Sequence, residues 1–204
     1  RKEIAQATKI AQGGNLSLIL EELVQCGFIQ EYHPFGKKKR GSLFQLIDFY
    51  SLFYLKFVDG SRAIGQGTWL AQIDHPGWRA WSGYAFENVC RYHLNALKTG
   101  LGISGVYTEI SAWKSREAGV QIDLVIDRRD RVINLCEIKF SQAPFTISKS
   151  YAANLLKKVQ AFKTETGTSK TIFLTIVTLL GLKENAHSLN VVQQQVRMDQ
   201  HFFQ

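Results

Sequence analysis

Two carboxylates and an ammonium stand in a part of the chain that is otherwise apolar. Asp123 lies inside the apolar run 120–126, and Glu137 and Lys139 lie inside the run 132–140. An unpaired carboxylate among apolar neighbours is costly, so Asp123 needs a compensating charge. A divalent cation held jointly by Asp123 and Glu137 would supply it, because Mg²⁺ accepts two carboxylates while keeping waters and phosphate oxygens in its shell.

The two apolar runs are predicted to be the strands of a β-hairpin, with residues 127–131 as its charged turn. Side chains alternate between the two faces of a strand, so Glu137 and Lys139 share one face and Ile138 lies on the other. The first face is expected to carry chemistry and the second to face the core. A plain salt bridge from Lys139 to Asp123 or Glu137 explains the same residues without a metal, and spacing alone leaves both interpretations open.

Asp123, followed after the hairpin by Glu137-Ile138-Lys139, resembles the D…(D/E)xK signature of the PD-(D/E)XK nuclease-like superfamily. Ile122 stands where that family usually has Pro. The resemblance implies an α/β fold with a restriction-endonuclease-like mixed-sheet core, and hydrolysis of phosphodiester bonds with Mg²⁺ or Mn²⁺. It also implies that Asp123, Glu137 and the Ile138 carbonyl ligate the metal. Lys139 would orient the attacking water or offset charge on the phosphate.

The helices on either side of the hairpin supply further candidates. From Ser82, apolar residues at helical spacing predict a helix. Its stripe comprises Phe86, Val89, Cys90, His93, Leu94 and Leu97. Glu87 lies at the edge of this stripe and, by the resemblance, is a further catalytic acid and metal ligand; the alternative is an exposed helix glutamate. Family members also carry a basic or amide residue on the helix after the motif, which gives Lys157 and Gln160 as accessory residues beside Gln121. Ordinary surface positions explain these as well.

The remaining elements of this region are predicted from periodicity. They are a strand at 106–113, a helix opening at Ser150 or Tyr151 with Leu155, Val159 and Phe162 inward, a strand at 170–178 and a last strand at 189–192. The resulting order, α-β-β-β-α-β from Ser82, is the common core order of the superfamily.

Residues 1–58 resemble a winged-helix (helix-turn-helix) module whose first helix is missing. The pattern consists of a helix at 2–8, a turn that ends at Asn15, an amphipathic helix with Asn15 as its expected cap and Gly27 at its end, and a hairpin over 28–47. The basic hairpin tip would contact DNA phosphates. It consists of Lys37, Lys38, Lys39 and Arg40. The helix before it would enter a groove, but carries acidic rather than basic outward residues, so a module for protein contacts fits nearly as well.

Asp48 is predicted to cap an aromatic connector helix over 49–58 that packs against a neighbouring domain or partner. Residues 59–80 contain the Gly and Pro of a linker, although Trp69 is expected to dock. The nuclease-like domain is then placed at 81–204.

Composition favours a folded intracellular protein with a polyanionic partner. The formal net charge is +8 and the isoelectric point is near 9.4, which fits nucleic acid. The three cysteines, Cys26, Cys90 and Cys136, are predicted to be reduced core thiols of a cytoplasmic protein. No apolar run is long enough to span a membrane. The chain begins at Arg1, inside an expected helix, and is interpreted as a piece of a longer polypeptide.

Taken together, the winged helix, the aromatic connector and the Asp123 to Lys139 motif resemble the C-terminal region of prokaryotic archaeal-type AAA-family ATPases. The chain has no GxxxxGK[ST] loop, so ATP would act only through an upstream ATPase domain of the same polypeptide. The expected function is Mg²⁺-dependent DNA cleavage. Two alternatives remain open: a catalytically inactive nuclease-like module that binds DNA or protein, and a regulatory interaction domain without a nucleic-acid role. Oligomeric state is not predicted.

Overall fold

The chain forms two compact units, Arg1–Ala85 and Phe86–Gln204. They are seen in a computed structural model that describes residues 1–36, 41–60, 69, 71, 73 and 75–198. The predicted basic hairpin tip, 37–40, lies outside the described residues. The division falls within the helix Pro76–Tyr92, whose C-terminal part belongs to the second unit.

The first unit has two helices followed by an antiparallel hairpin, as predicted. The elements are α1 (Lys2–Thr8), α2 (Gly14–Gln25), β1 (Ile29–Tyr32), β2 (Leu43–Leu46), α3 (Phe49–Phe53) and a π-helical segment (Tyr54–Val58). Ala5, Leu16 and Leu20 form a small core between α1 and α2. Gly27 has the positive φ of 75° expected of a helix-ending residue.

Two details of this unit differ from the prediction. Asn15 does not cap α2, because the helix begins one residue earlier and Gly13 is its N-cap without a side-chain hydrogen bond. Cys26 is exposed, because it stands at the C-cap of α2 and outside the buried stripe of Leu16 and Leu20.

The cap of the connector helix and the docking of Trp69 from the predicted linker are confirmed. Asp48 is the N-cap of α3, and its Oδ2 accepts a hydrogen bond from the Ser51 backbone N–H at 2.6 Å. Trp69 packs edge-to-face against Phe57 with ring centroids 4.6 Å apart, and against Trp81 at 5.7 Å. Such contacts add to simple burial of the rings.

The second unit is α/β, with a mixed five-stranded sheet. Its elements are α4 (Pro76–Tyr92, from Phe86 on), α5 (Leu94–Gly100), β3 (Thr108–Lys114), β4 (Gln121–Arg128), β5 (Val132–Lys139), β6 (Phe145–Thr146), α6 (Lys149–Thr166), β7 (Thr171–Thr178), β8 (Leu182–Lys183), α7 (Ala186–Val191) and β9 (Gln194–Arg197). The sheet order is β3-β4-β5-β7-β9. The first three strands are antiparallel neighbours, whereas β5, β7 and β9 run parallel.

Helices cover both faces of this sheet. On one face, α4 and α5 pack Phe86, Cys90 and Leu97 against β4 and β5. On the other, Leu155 of α6 packs against Leu174 and Ile176 of β7. Because both faces are covered, β4 and β5 are buried along nearly their whole length. The prediction that one hairpin face is core is therefore true of both faces.

Several element boundaries differ from the prediction. The hairpin turn expected at 127–131 is shorter, because β4 continues to Arg128. The helix expected from Ser82 begins at Pro76, a residue well suited to a first helical position, and it is broken at His93, whose backbone is not helical. Residues 189–192, predicted to be a strand, largely belong to α7 instead. Asn185 starts this helix with a capping box that includes Ser188, and the last strand follows at Gln194–Arg197.

In the part of the chain that the structure describes, no helix combines the length and apolarity needed to cross a membrane.

Candidate functional site

The β4–β5 hairpin brings the two predicted carboxylates together. The antiparallel register pairs Leu124 with Cys136, so continuing it by one residue places Asp123 across from Glu137. Paired residues of adjacent strands point to the same face. Asp123 is 8% exposed and Glu137 is 3% exposed. The pattern in the sequence therefore corresponds to a buried acidic pair.

Lys139 contacts both carboxylates. Its Nζ lies 3.0 Å from Glu137 Oε1 and 3.8 Å from Asp123 Oδ2, and its side chain is 30% exposed. Lys139 is two residues from Glu137 along β5, which puts both side chains on one face. The salt bridge considered from the sequence is therefore present in the structure.

Backbone contacts hold Asp123 in place. Its Oδ2 accepts a hydrogen bond from the Ile138 backbone N–H at 3.0 Å, which ties β4 to β5 beyond their last registered pair. Arg91 of α4 donates from Nη2 to the Asp123 backbone carbonyl at 2.6 Å, so the helix is also fixed to this point of β4. The Ile138 carbonyl as a metal ligand stays a prediction.

Helix α6 contributes two residues that the sequence analysis did not place in the site. Lys158 donates from Nζ to Glu137 Oε1 at 2.7 Å and to Oε2 at 2.6 Å. The Tyr151 hydroxyl donates to Glu137 Oε1 at 3.1 Å. The signal in the sequence was the stripe Tyr151, Leu155, Lys158 and Phe162 at helical spacing, in which a lysine stands between two apolar residues that are fully buried.

The predicted accessory residues lie elsewhere. Lys157, Gln160 and Gln121 are exposed. Gln160 donates from Nε2 to Thr164 Oγ1 at 3.3 Å. Within the described part of α6, it is Lys158 and Tyr151 that reach Glu137.

Glu87 approaches the site from α4. Its side chain is 28% exposed, and its Oε2 lies 4.0 Å from Arg91 Nη2. Burial, and then the charge of Asp123, raise the pKa of Glu87 from 4.5 to about 7, against the opposing effect of Arg91. Glu87 is therefore within electrostatic reach of Asp123, and its carboxyl group can gain or lose a proton near neutral pH.

The other ionisable groups respond to the same crowding of negative charge. Burial, followed by the charge of Glu137, raises the pKa of Asp123. Burial alone would lower the pKa of Lys139, but Glu137 and Asp123 outweigh it and the pKa is raised. Burial and Glu137 also raise the pKa of Tyr151, which keeps the hydroxyl protonated as a hydrogen-bond donor.

The acidic pair fits a hard divalent cation, with two protein ligands. Asp123 and Glu137 are buried carboxylates on facing positions, and Mg²⁺ is commonly held by one or two carboxylates with waters and substrate oxygens completing its shell. Among the described residues, no three His, Cys, Asp or Glu side chains lie close enough to hold one ion together. The structure thus brings Glu87 near the pair without making it part of a three-residue ligand group.

The site is also close to electrical balance as it stands. Three carboxylates, those of Glu87, Asp123 and Glu137, face three cations. The cations are Arg91, Lys139 and Lys158. Pairing and hydrogen bonding offset much of the cost of burying a charge, whereas a buried charge without a partner is strongly destabilising. The geometry is therefore compatible with a cation site and with a self-compensated ionic cluster.

Comparison with protein-family models, with curated proteins and with solved structures found no match to the chain.

Proposed function

We propose that the second unit is a PD-(D/E)XK nuclease-like domain that hydrolyses phosphodiester bonds in DNA with Mg²⁺ or Mn²⁺. The observation that supports this most strongly is the buried pair Asp123 and Glu137 on facing positions of β4 and β5, with Lys139 in contact with both. Two carboxylates beside an ammonium offer ligands to a metal and a cation to a phosphate in the same place.

Each residue has a role that follows from its position. Asp123 and Glu137 would hold the metal, which would lower the pKa of a water and stabilise charge on the scissile phosphate. Lys139, which is more exposed than Lys158, would turn from Glu137 to a phosphate oxygen or orient the water. Glu87, with a pKa of about 7, would exchange a proton near neutral pH. Arg91 would keep β4 in place through the Asp123 carbonyl.

The proposal for the whole chain is a winged-helix module followed by this domain, as in the C-terminal region of prokaryotic archaeal-type AAA-family ATPases. The helix, helix, hairpin order of the first unit supports it, as does the net charge of +8. DNA contact by the basic tip, an upstream ATPase domain and a cytoplasmic location remain predictions.

Cleavage of DNA tests the proposal. The full chain is incubated with supercoiled plasmid and with a short labelled duplex in Mg²⁺ or Mn²⁺, beside the variants Asp123→Asn and Lys139→Met. Wild type should cut, and each variant should lose about a hundredfold in rate or more. Asp127→Asn is the matched control, since it lies further along β4 and pairs with Lys170 at a partly exposed position. Absence of cleavage by wild type in both metals would refute the enzymatic proposal.

A second function has an observation in its favour. Because Lys139, Lys158 and Arg91 balance the three carboxylates, the site has the charge compensation it needs without a metal. This favours an inactive nuclease-like module that binds DNA or a protein. It predicts DNA retention in a shift assay that Asp123→Asn leaves unchanged and that falls steeply with salt, because phosphate contacts give a steep salt dependence. Absence of DNA retention, together with salt-insensitive binding of a protein, would support an interaction domain without a nucleic-acid role.

A further inference from the structure

The two oxygens of the Glu137 carboxylate have different surroundings. Oε1 lies within 3.1 Å of three donors, on Tyr151, Lys139 and Lys158. Oε2 accepts from Lys158 at 2.6 Å. A carboxylate oxygen has about two lone pairs, so Oε1 is saturated. Oε2 is the oxygen that remains for a further ligand, and Lys158 donates a hydrogen bond to it.

Lys158 is placed there by the helix and not by chance orientation of a surface side chain. Its side chain is 12% exposed, and it lies on the same stripe of α6 as Leu155 and Phe162, both fully buried. An ammonium on a flexible four-carbon stem can nevertheless move to another anion without any movement of the helix. Charge attraction thus holds Lys158 at Glu137, and the ammonium can move to another anion that attracts it more strongly.

We propose that the Lys158 ammonium occupies the place beside Glu137 Oε2 where a divalent metal would bind, and that the metal binds by displacing it. The inference rests on the proposed function, because it concerns the metal of that site. An ammonium and a metal ion compete for the same oxygen, so Lys158 lowers the affinity for metal. A phosphate group of the substrate gives the displaced ammonium a new partner. Metal and phosphate therefore bind cooperatively, and each strengthens binding of the other by the same factor.

Without nucleic acid, Lys158 stays paired with the buried Glu137 carboxylate, and the affinity of the site for metal is low. With nucleic acid, the lysine moves to the phosphate and the metal enters. The site then binds metal about tenfold more tightly when its substrate is present.

Calorimetric titration of Mn²⁺ into the full chain tests this. The titration is made with and without thymidine 3′,5′-bisphosphate, which offers phosphate groups but has no phosphodiester bond to cut. The variant Lys158→Met should bind Mn²⁺ about tenfold more tightly than wild type in the absence of the bisphosphate, a factor within the usual range of coupling between sites. The bisphosphate should strengthen Mn²⁺ binding to wild type by about the same factor and change binding to Lys158→Met little.

Lys157→Met is the matched control, because it removes the neighbouring exposed lysine of α6. It should behave as wild type in both titrations. Lys158→Gln provides a second variant, with a neutral polar side chain, in case Lys158→Met unfolds, and circular dichroism checks the fold of each. Tyr151→Phe removes one donor from Oε1 and should leave the effect of the bisphosphate intact.

The outcomes separate the two proposals. If Lys158→Met and Lys158→Gln bind Mn²⁺ with the affinity of wild type, Lys158 is only a structural partner of Glu137, and the inference is wrong while the proposed function stands. If wild type and every variant fail to bind Mn²⁺ with or without the bisphosphate, the metal site itself is refuted and the inference with it.

Discussion

Replacing Glu87 with Gln should stabilise the second unit at neutral and alkaline pH but not in acid. The pKa of Glu87 rises from an ordinary value of 4.5 to about 7 in the folded chain, mainly through burial and next through Asp123. The folded state therefore holds this proton more tightly than the unfolded chain. As pH rises from about 4.5 to about 7, the contribution of Glu87 to stability falls, because the unfolded chain releases its proton first.

The magnitude follows from the size of the rise. Each pKa unit corresponds to about 1.4 kcal/mol, so ionising Glu87 in the fold costs about 3 kcal/mol once pH exceeds 7. A neutral Gln of nearly the same shape avoids that cost. At pH 5 the unfolded chain has already released most of this proton while the folded chain keeps it, so the two side chains should differ by about 1 kcal/mol. The gain from Glu87→Gln is thus expected to grow from about 1 kcal/mol at pH 5 to about 3 kcal/mol at pH 8.

Urea unfolding, monitored by hydrogen exchange of peptides from β4 and β5, measures this gain in the free energy of unfolding. It reports on the second unit separately from the first. Wild type and Glu87→Gln are compared at four pH values between 5 and 8. Glu184→Gln, which changes an exposed glutamate of the same unit, controls for the loss of one charge. A stability difference between Glu87→Gln and wild type that stays constant across this range would refute the assigned electrostatics.

Three substitutions outside the acidic pair test the packing and backbone of the second unit. Gly100→Ala should lower its free energy of unfolding by about 1 to 3 kcal/mol in urea unfolding, because a Cβ would lie 2.9 Å from Val196 Cγ1 in the core. Asn134→Ala should lower the free energy of unfolding by about 2 kcal/mol in the same measurement. The buried Asn134 side chain donates to Thr175 Oγ1 at 2.9 Å and to Gln194 Oε1, and it accepts from Arg128 Nη1. Arg131→Gly should raise the melting temperature, with a gain of about 1 kcal/mol, since Arg131 is exposed with φ of 68°. A loss of stability in the last case, or none in the first two, would contradict these assignments.

The hairpin and its acidic pair could be predicted because their signals are local. Alternating apolar runs on either side of a charged turn fix the strand pairing, and the turn length fixes which residues face each other. The turn predicted at 127–131 is too long, because β4 continues to Arg128. It would set Asp123 opposite Leu135, whereas the observed register sets Asp123 opposite Glu137, on the same face of the sheet. The Asp48 cap and the α1, α2 and hairpin order of the first unit are local signals of the same kind.

Other features depend on contacts that a single sequence does not reveal. The rotation of α6 about its axis decides whether Lys157 or Lys158 faces Glu137, and the sheet beneath the helix sets that rotation. The segment 189–192 ends in two β-branched valines, which favours a strand, but the capping box at Asn185 and packing of Val191 in the core make it largely helical. The break at His93 also lies within an uninterrupted apolar stripe and carries no breaker residue.

The account depends on Asp123 and Glu137 sharing a divalent cation, and Mn²⁺ titration of Asp123→Asn examines this most directly. Asn keeps an oxygen that can accept the Ile138 N–H, so the fold should persist and only the charge is lost. In the presence of thymidine 3′,5′-bisphosphate, wild type and the control Asp127→Asn should bind Mn²⁺, whereas Asp123→Asn should bind it at least about tenfold more weakly. Equal affinity in all three proteins would contradict the account.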